Sequence, residues 1–234
     1  MQKIRVAVLR GGPSSEYDVS LKTGGSVLRN LNPEKYEPRD ILITRDGTWH
    51  YRGLPVHPEQ VIAGHDVVFN ALHGEYGEDG RIQQLLTHYN IPYTGSRSLP
   101  SAIAMNKMHA KHSLRETEVL MPEHIVLEES PDIESQMRNA FNAFSPTCVV
   151  KPASLGSSVG VRVVSTYEDF KDAVQKSLEK APQVLVEEYI EGRELYVSVI
   201  GDQRLRVLPP REMKFGQLPE DEPRIATYKA KWDD

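Results

Sequence analysis

The sequence predicts an α/β fold: a doubly wound parallel sheet, then an α+β unit, then the start of a third element. Three observations point there. Apolar runs at 4–9 and 66–71 each run into a glycine-bearing turn, as buried parallel strands do. Helical periodicity lies between them, which is the alternation that builds such sheets. Further on, two apolar runs flank a loop of small residues at 151–161.

The elements follow in order. Ile4 to Leu9 is a first strand ending at Gly11-Gly12. Residues 14–30 carry helix periodicity, with Val19, Val27, Leu28 and Leu31 on one side, and Pro33 and Pro38 end it. A second strand is expected at 39–44, an Asp46-Gly47 turn, and a short strand at 48–51. DVVFNA, 66–71, is the third strand, followed by His73-Gly74, a helix at about 80–90 and a short strand at 91–93. Ligands of such sheets sit beyond the carboxyl ends of the strands, where both glycine turns lie. The second unit opens near Ser98 with one helix expected over 102–118, stopping before Pro122. Strand 124–128, helix 133–144, strand 147–151, strand 159–164, helix 167–180 and strand 183–189 follow. From Arg193, 194–200 alternates and 205–208 returns after Gly201-Asp202, which reads as the start of a sheet whose other members are not in this chain. No internal repeat or low-complexity segment interrupts this order, and 225–234 is polar and basic.

Composition narrows the function. The chain has 234 residues, 39% hydrophobic, enough for one large or two small domains with real cores. Its net charge of -5, with both signs interspersed, argues against nucleic acid as the main partner. A single cysteine, Cys148, beside Val149 and Val150, excludes an internal disulfide and reads as core. No apolar run reaches membrane-spanning length, and MQKIRVAVLRGG lacks the shape of a signal peptide, so a cytoplasmic location is expected.

Four segments carry chemistry. KPASLGSSVGV, 151–161, offers Gly156 and Gly160 for unusual backbone angles, Ser157 and Ser158 as hydroxyl donors and Lys151 as an ammonium, all suited to phosphate oxygens. It is not a Walker A loop, since no Gly-Lys-Ser/Thr opens a helix. GGPSSEYDVSL, 11–21, leaves free N–H groups at a helix start, with Glu16 and Asp18 in the first turn, where acids are favoured in any case. In FNALHGEYGEDGRIQQLL, 69–86, His73 precedes Glu75, Glu78 and Asp79 among three glycines; helix capping explains these acids more readily than a metal site. VLVEEYIEGRELYVSV, 184–199, places Glu187, Glu188 and Glu194 around Gly192, as a solvated edge would.

Taken together, and in this order, the segments resemble the D-alanine–D-alanine ligase family of the ATP-grasp superfamily. ALHGEYGEDGRIQ, Thr94-Gly95-Ser96 through SAIAMNK, VEEYIEGREL and YKAKW continue the likeness over essentially the whole chain. The resemblance implies a pre-ATP-grasp substrate-binding domain at 1–97, a central ATP-binding lobe at 98–190 and an incomplete C-terminal lobe at 191–234. It implies a two-step ligation for peptidoglycan synthesis. ATP phosphorylates one D-alanine, and the amine of a second attacks the acyl phosphate. Catalytic roles would fall to Glu16, His73, Ser157 and Lys231, with Glu16 on the first D-alanine's ammonium and His73 near its carboxylate. Lys107, Lys151, Ser157 and Ser158 would meet ATP phosphates, Glu187, Glu188, Tyr189 and Ile190 the adenine, and Glu194 the ribose. Mg²⁺ ligands would lie beyond residue 234, with none in this chain, so low turnover by these residues alone is expected. A homodimer is implied. Where the family's YxAKY motif closes on tyrosine this chain has Trp232, whose indole donates but does not accept. A D-lactate-type second substrate and a non-catalytic binding fragment are the alternatives.

Overall fold

The computed structural model describes residues 2–215. They form two compact units. The first runs through Val119 and includes Ser154–Gly156; the second takes Leu120–Ala153 and the described residues from Ser157 on.

In the first unit the elements are β1 (Ile4–Gly11), α1 (Tyr17–Asn30), β2 (Tyr36–Ile43), β3 (Trp49–Tyr51), β4 (Leu54–Pro55), α2 (Pro58–Ala63), β5 (Val67–Asn70), α3 (Arg81–His88), α4 (Ser98–Met105) and α5 (Lys107–Leu114). The sheet order is β4-β3-β2-β1-β5. β1 pairs in parallel with β2 and β5, the doubly wound core that the alternating pattern predicts. The edge is different: β3 and β4 are antiparallel, because the tight turn at Asp46-Gly47 can only reverse the chain. Segment 91–93 contributes a single bridge, Val68 to Tyr93, rather than a strand.

Two apolar layers sandwich this sheet. Ala7, Leu9, Ile41, Ile43 and Val68 meet Ile82 and Leu86 of α3 on one face. Val6 and Val8 meet Val27 and Leu28 of α1, and Leu31 just past its end, on the other. Burial of such side chains stabilises by about 1.5–3 kcal/mol each. The helix expected over 102–118 is instead two. Asn106 breaks it, leaving the helical region and accepting the N–H groups of Met108 and His109, an N-cap that starts α5 afresh at Lys107.

The second unit holds β6 (His124–Glu128), α6 (Ile133–Phe144), β7 (Cys148–Pro152), β8 (Arg162–Val164), α7 (Tyr167–Leu178) and β9 (Gln183–Glu188), then β10 (Glu194–Tyr196), β11 (Val199–Ile200), β12 (Arg206–Val207) and β13 (Arg211–Met213). The four-stranded sheet has order β6-β9-β7-β8, every pair antiparallel. Its alternation sorts the faces. Leu127, Cys148, Val150, Val164, Val184 and Val186 pack on Met137 and Ala140 of α6 and Phe170, Ala173 and Val174 of α7. Cys148 is fully buried in this layer, and burial pushes its thiol up to about 11. The other face carries Val126, Val149, Val163 and Leu185 with Lys151 and Glu187, as the registers dictate.

The segment 194–200, expected as one strand, splits. β10 pairs with β13, and β11 pairs with β12 through Val199–Val207 and Ile200–Arg206.

Candidate functional site

The carboxyl ends of β1 and β5 and the start of α1 converge on Glu16 and His73. Gly11 and Gly12 turn the chain at φ +91° and +95°; a Cβ on Gly11 would sit 2.2 Å from the Ile43 carbonyl oxygen. Only glycine fits there, and the turn delivers Glu16 as the residue capping α1. Glu16 is 5% exposed, and among the described residues its carboxylate has no hydrogen-bond or ion-pair partner. It lies against Gly74, where a Cβ would be 2.7 Å from Glu16 Oε2. A carboxylate at this place can accept from a cationic donor, and such a charge-assisted bond is stronger than a neutral one.

Hydroxyls tie the helix to the loop after β5. Ser14 Oγ donates to the His73 carbonyl at 2.8 Å and accepts the Glu16 N–H at 2.9 Å. Ser20 Oγ accepts from Gly11 N–H at 2.8 Å and donates to the Ala71 carbonyl at 2.7 Å. Thr23 Oγ1 lies 2.9 Å from His73 Nε2. On the ring's other side, Glu78 Oε1 is 3.7 Å from Nδ1, while Glu78 Oε2 accepts the Gly74 N–H at 3.0 Å. Of the acids in this loop, Asp79 does serve the next helix, accepting from Tyr76 N–H and Arg81 N–H. Glu75 makes no such bond among the described residues.

Beside this cluster a cavity of about 630 Å³ is lined by Asn70, Glu78, Gln83, Thr94, Lys107 and Leu155, among others. Lys107, on the first turn of α5, donates from Nζ to the Leu155 carbonyl at 2.8 Å. Asn70 Nδ2 and Gln83 Nε2 both donate to the Gly77 carbonyl, at 2.9 and 2.8 Å, and so pin the glycine-rich loop.

The second unit holds the other residues singled out in the sequence. Lys151 Nζ is ion-paired to the buried Glu187 carboxylate on the face away from the helices. Glu188 accepts the Glu123 N–H at 2.9 Å. Tyr189 and Ile190 follow β9, with Ile190 exposed, and Glu194 opens β10. In the Gly/Ser loop the left-handed angles fall at Leu155, Ser157, Ser158 and Gly160, with φ of +102°, +52°, +61° and +75°. Gly156, expected to be such a position, is not one. Lys231 and Trp232 lie outside the described residues.

The comparisons with known proteins agree along the chain. Residues 5–60 and 52–96 match the D-ala D-ala ligase N-terminus family, and 114–234 match the D-ala D-ala ligase C-terminus family. The chain belongs to the D-alanine–D-alanine ligase family. A ligase of that name from Aquifex aeolicus is 38% identical over 208 residues, covering 88% of this chain and 66% of the relative. The chain is also similar to a crystal structure of a D-Ala:D-Ser ligase from Enterococcus faecalis (TM-score 0.79, 30% identity, 90% of this chain, 70% of that one). A D-alanine–D-alanine ligase from Bacillus anthracis complexed with ATP matches with TM-score 0.72 and 30% identity, over 92% of this chain and 67% of that one. The chain spans about 65% of the length of the first curated relatives it matches. An ATP-grasp α/β architecture is thus established for it. Among the described residues no helix is long and apolar enough to cross a membrane.

The residues that sequence reasoning missed are Ser14, Ser20 and Thr23. Their signal was present: Glu16, Ser20 and Thr23 fall at i, i+4 and i+7, one face of a helix, so polar residues sit on a stripe that also buries Val19 and Val27.

Proposed function

We propose that this chain carries the substrate- and nucleotide-binding part of an ATP-dependent ligase that joins two D-alanines. The observation that carries the reading is the Glu16 carboxylate set against Gly74, in a residue 5% exposed, with His73 on the same loop. Such a pair suits a zwitterion: the ammonium to Glu16, the carboxylate toward the imidazole. The reaction would transfer the γ-phosphoryl of ATP to one D-alanine carboxylate oxygen, releasing ADP. The amine of a second D-alanine would then add to the acyl carbon, expelling phosphate and losing a proton. Lys151, Lys107 and the left-handed loop at 155–160 would hold phosphate oxygens, with Ser157 and Ser158 adding hydroxyls. The sheet face with Val126, Val149, Val163 and Leu185 offers an apolar floor for adenine, and Glu187 through Ile190 would edge it, with Glu194 on the ribose. Lys231 would approach the transferred phosphate. Lys151 and Glu187 are paired to each other; a nucleotide phosphate entering would compete for that ammonium.

Mg²⁺ is implied by the family. Among the described residues no group of three or more His, Cys, Asp or Glu could hold a metal ion, so no step is assigned to one. The domain limits we propose are 1–97, 98–190 and 191–234, with a cytoplasmic location and a homodimer. The curated relatives carry the D-alanine–D-alanine name, which supports that pairing over a D-hydroxy acid or a non-catalytic binder. Product analysis of the complete reading frame with ATP, Mg²⁺ and competing D-alanine and D-lactate tests it. D-alanyl-D-alanine as the main product supports the reading; an ester product, or none, overturns it.

A further inference from the structure

Thr23 stands seven residues after Glu16 on α1, so both point from one helix face toward the loop after β5. Helical threonines commonly return their hydroxyl to the carbonyl four residues back. Thr23 makes no such bond; its hydroxyl goes to His73 Nε2 at 2.9 Å. The opposite ring nitrogen, Nδ1, faces Glu78 Oε1 at 3.7 Å, and Glu78 is itself anchored through Oε2 to the Gly74 N–H. An ionised carboxylate only accepts, so a neutral imidazole beside it carries its proton on Nδ1. That leaves a lone pair on Nε2 and makes Thr23 the donor.

We infer that Thr23 is a positioning residue for His73: its hydroxyl donates to Nε2 of the ring whose Nδ1 faces Glu78, and so fixes the orientation of the imidazole. A hydroxyl has a further property here: it donates to the neutral ring and accepts from the protonated one. The imidazole can therefore gain a proton without losing its Nε2 partner. How this bears on a substrate carboxylate rests on the D-alanine reading above; the tautomer itself does not.

The test is ¹⁵N-detected NMR of the His73 ring in the 234-residue chain, alongside Thr23→Val and Thr23→Ser. Wild type and Thr23→Ser are expected to show protonated Nδ1 and hydrogen-bonded, unprotonated Nε2 at high pH. Thr23→Val, matched in shape, is expected to lose the hydrogen-bonded signature at Nε2 and to show roughly 5-fold weaker D-alanine binding. A wild-type ring protonated on Nε2 overturns the inference without any variant. So does a Thr23→Val ring indistinguishable from wild type, since the Nε2 signal reports the hydroxyl's bond directly. If the Nε2 signal follows Thr23 but wild type binds no D-alanine, the ligase reading fails and the positioning role stands.

Discussion

At the scale of residues, the site depends on close approaches that leave no room. Gly74 has φ +68° and faces Glu16 Oε2 where a Cβ would need to be. Gly74→Ala is expected to cost about 1–3 kcal/mol of stability through strain and the displaced carboxylate. Urea unfolding would show it, and D-alanine affinity should fall with it. A variant as stable as wild type would mean the carboxylate moves freely. Away from the site, Arg5 holds the Asp66 carboxyl at about 2, below its ordinary 3.8, mainly through their side-chain hydrogen bond. A carboxyl with a lowered folded-state value stabilises above its ordinary range and loses that contribution as pH falls through the folded value. Asp66→Asn should therefore flatten the acid limb of the stability curve between pH 3.8 and about 2, and leave its shape at neutral pH unchanged. An unchanged acid limb in the variant would contradict the pairing.

At the scale of elements, legibility followed periodicity. β1 and β5 were visible as apolar runs because both of their faces are covered, and α6 and α7 as periodic patterns because each buries one face against the second sheet. The break at Asn106 was not visible, since helical periodicity continues across it and only the cap geometry reveals that the chain starts again. The single strand expected at 194–200 divides because its two halves find different partners, β13 and β12, information that no local pattern holds. The site shows the same limit. Glu16 and His73 stand out through their motifs, whereas Thr23 needs knowledge of which helix face meets which loop. Asn106→Ala should cost about 1 kcal/mol, with Asn106→Asp recovering most of it. Because the cap places Lys107 on the first turn of α5, Asn106→Ala should also weaken ATP binding. Loss of stability with unchanged ATP affinity would separate Lys107 from the nucleotide.

At the scale of the whole molecule, the described residues form two units with separate cores. Such a chain need not unfold in one step. Scanning calorimetry is expected to show two transitions, with D-alanine raising only that of the unit containing Glu16, since a ligand stabilises what it binds. A single transition, or an equal shift in both, would contradict this division. The most direct test is isothermal calorimetry of the 234-residue chain with D-alanine and L-alanine, for wild type and Glu16→Gln. Removing one charge-assisted bond costs about 1.5–3 kcal/mol, or roughly 10- to 150-fold in affinity. The account predicts saturable D-alanine binding, little for L-alanine, and a loss of that size in Glu16→Gln; equal D-alanine binding by both proteins would contradict it.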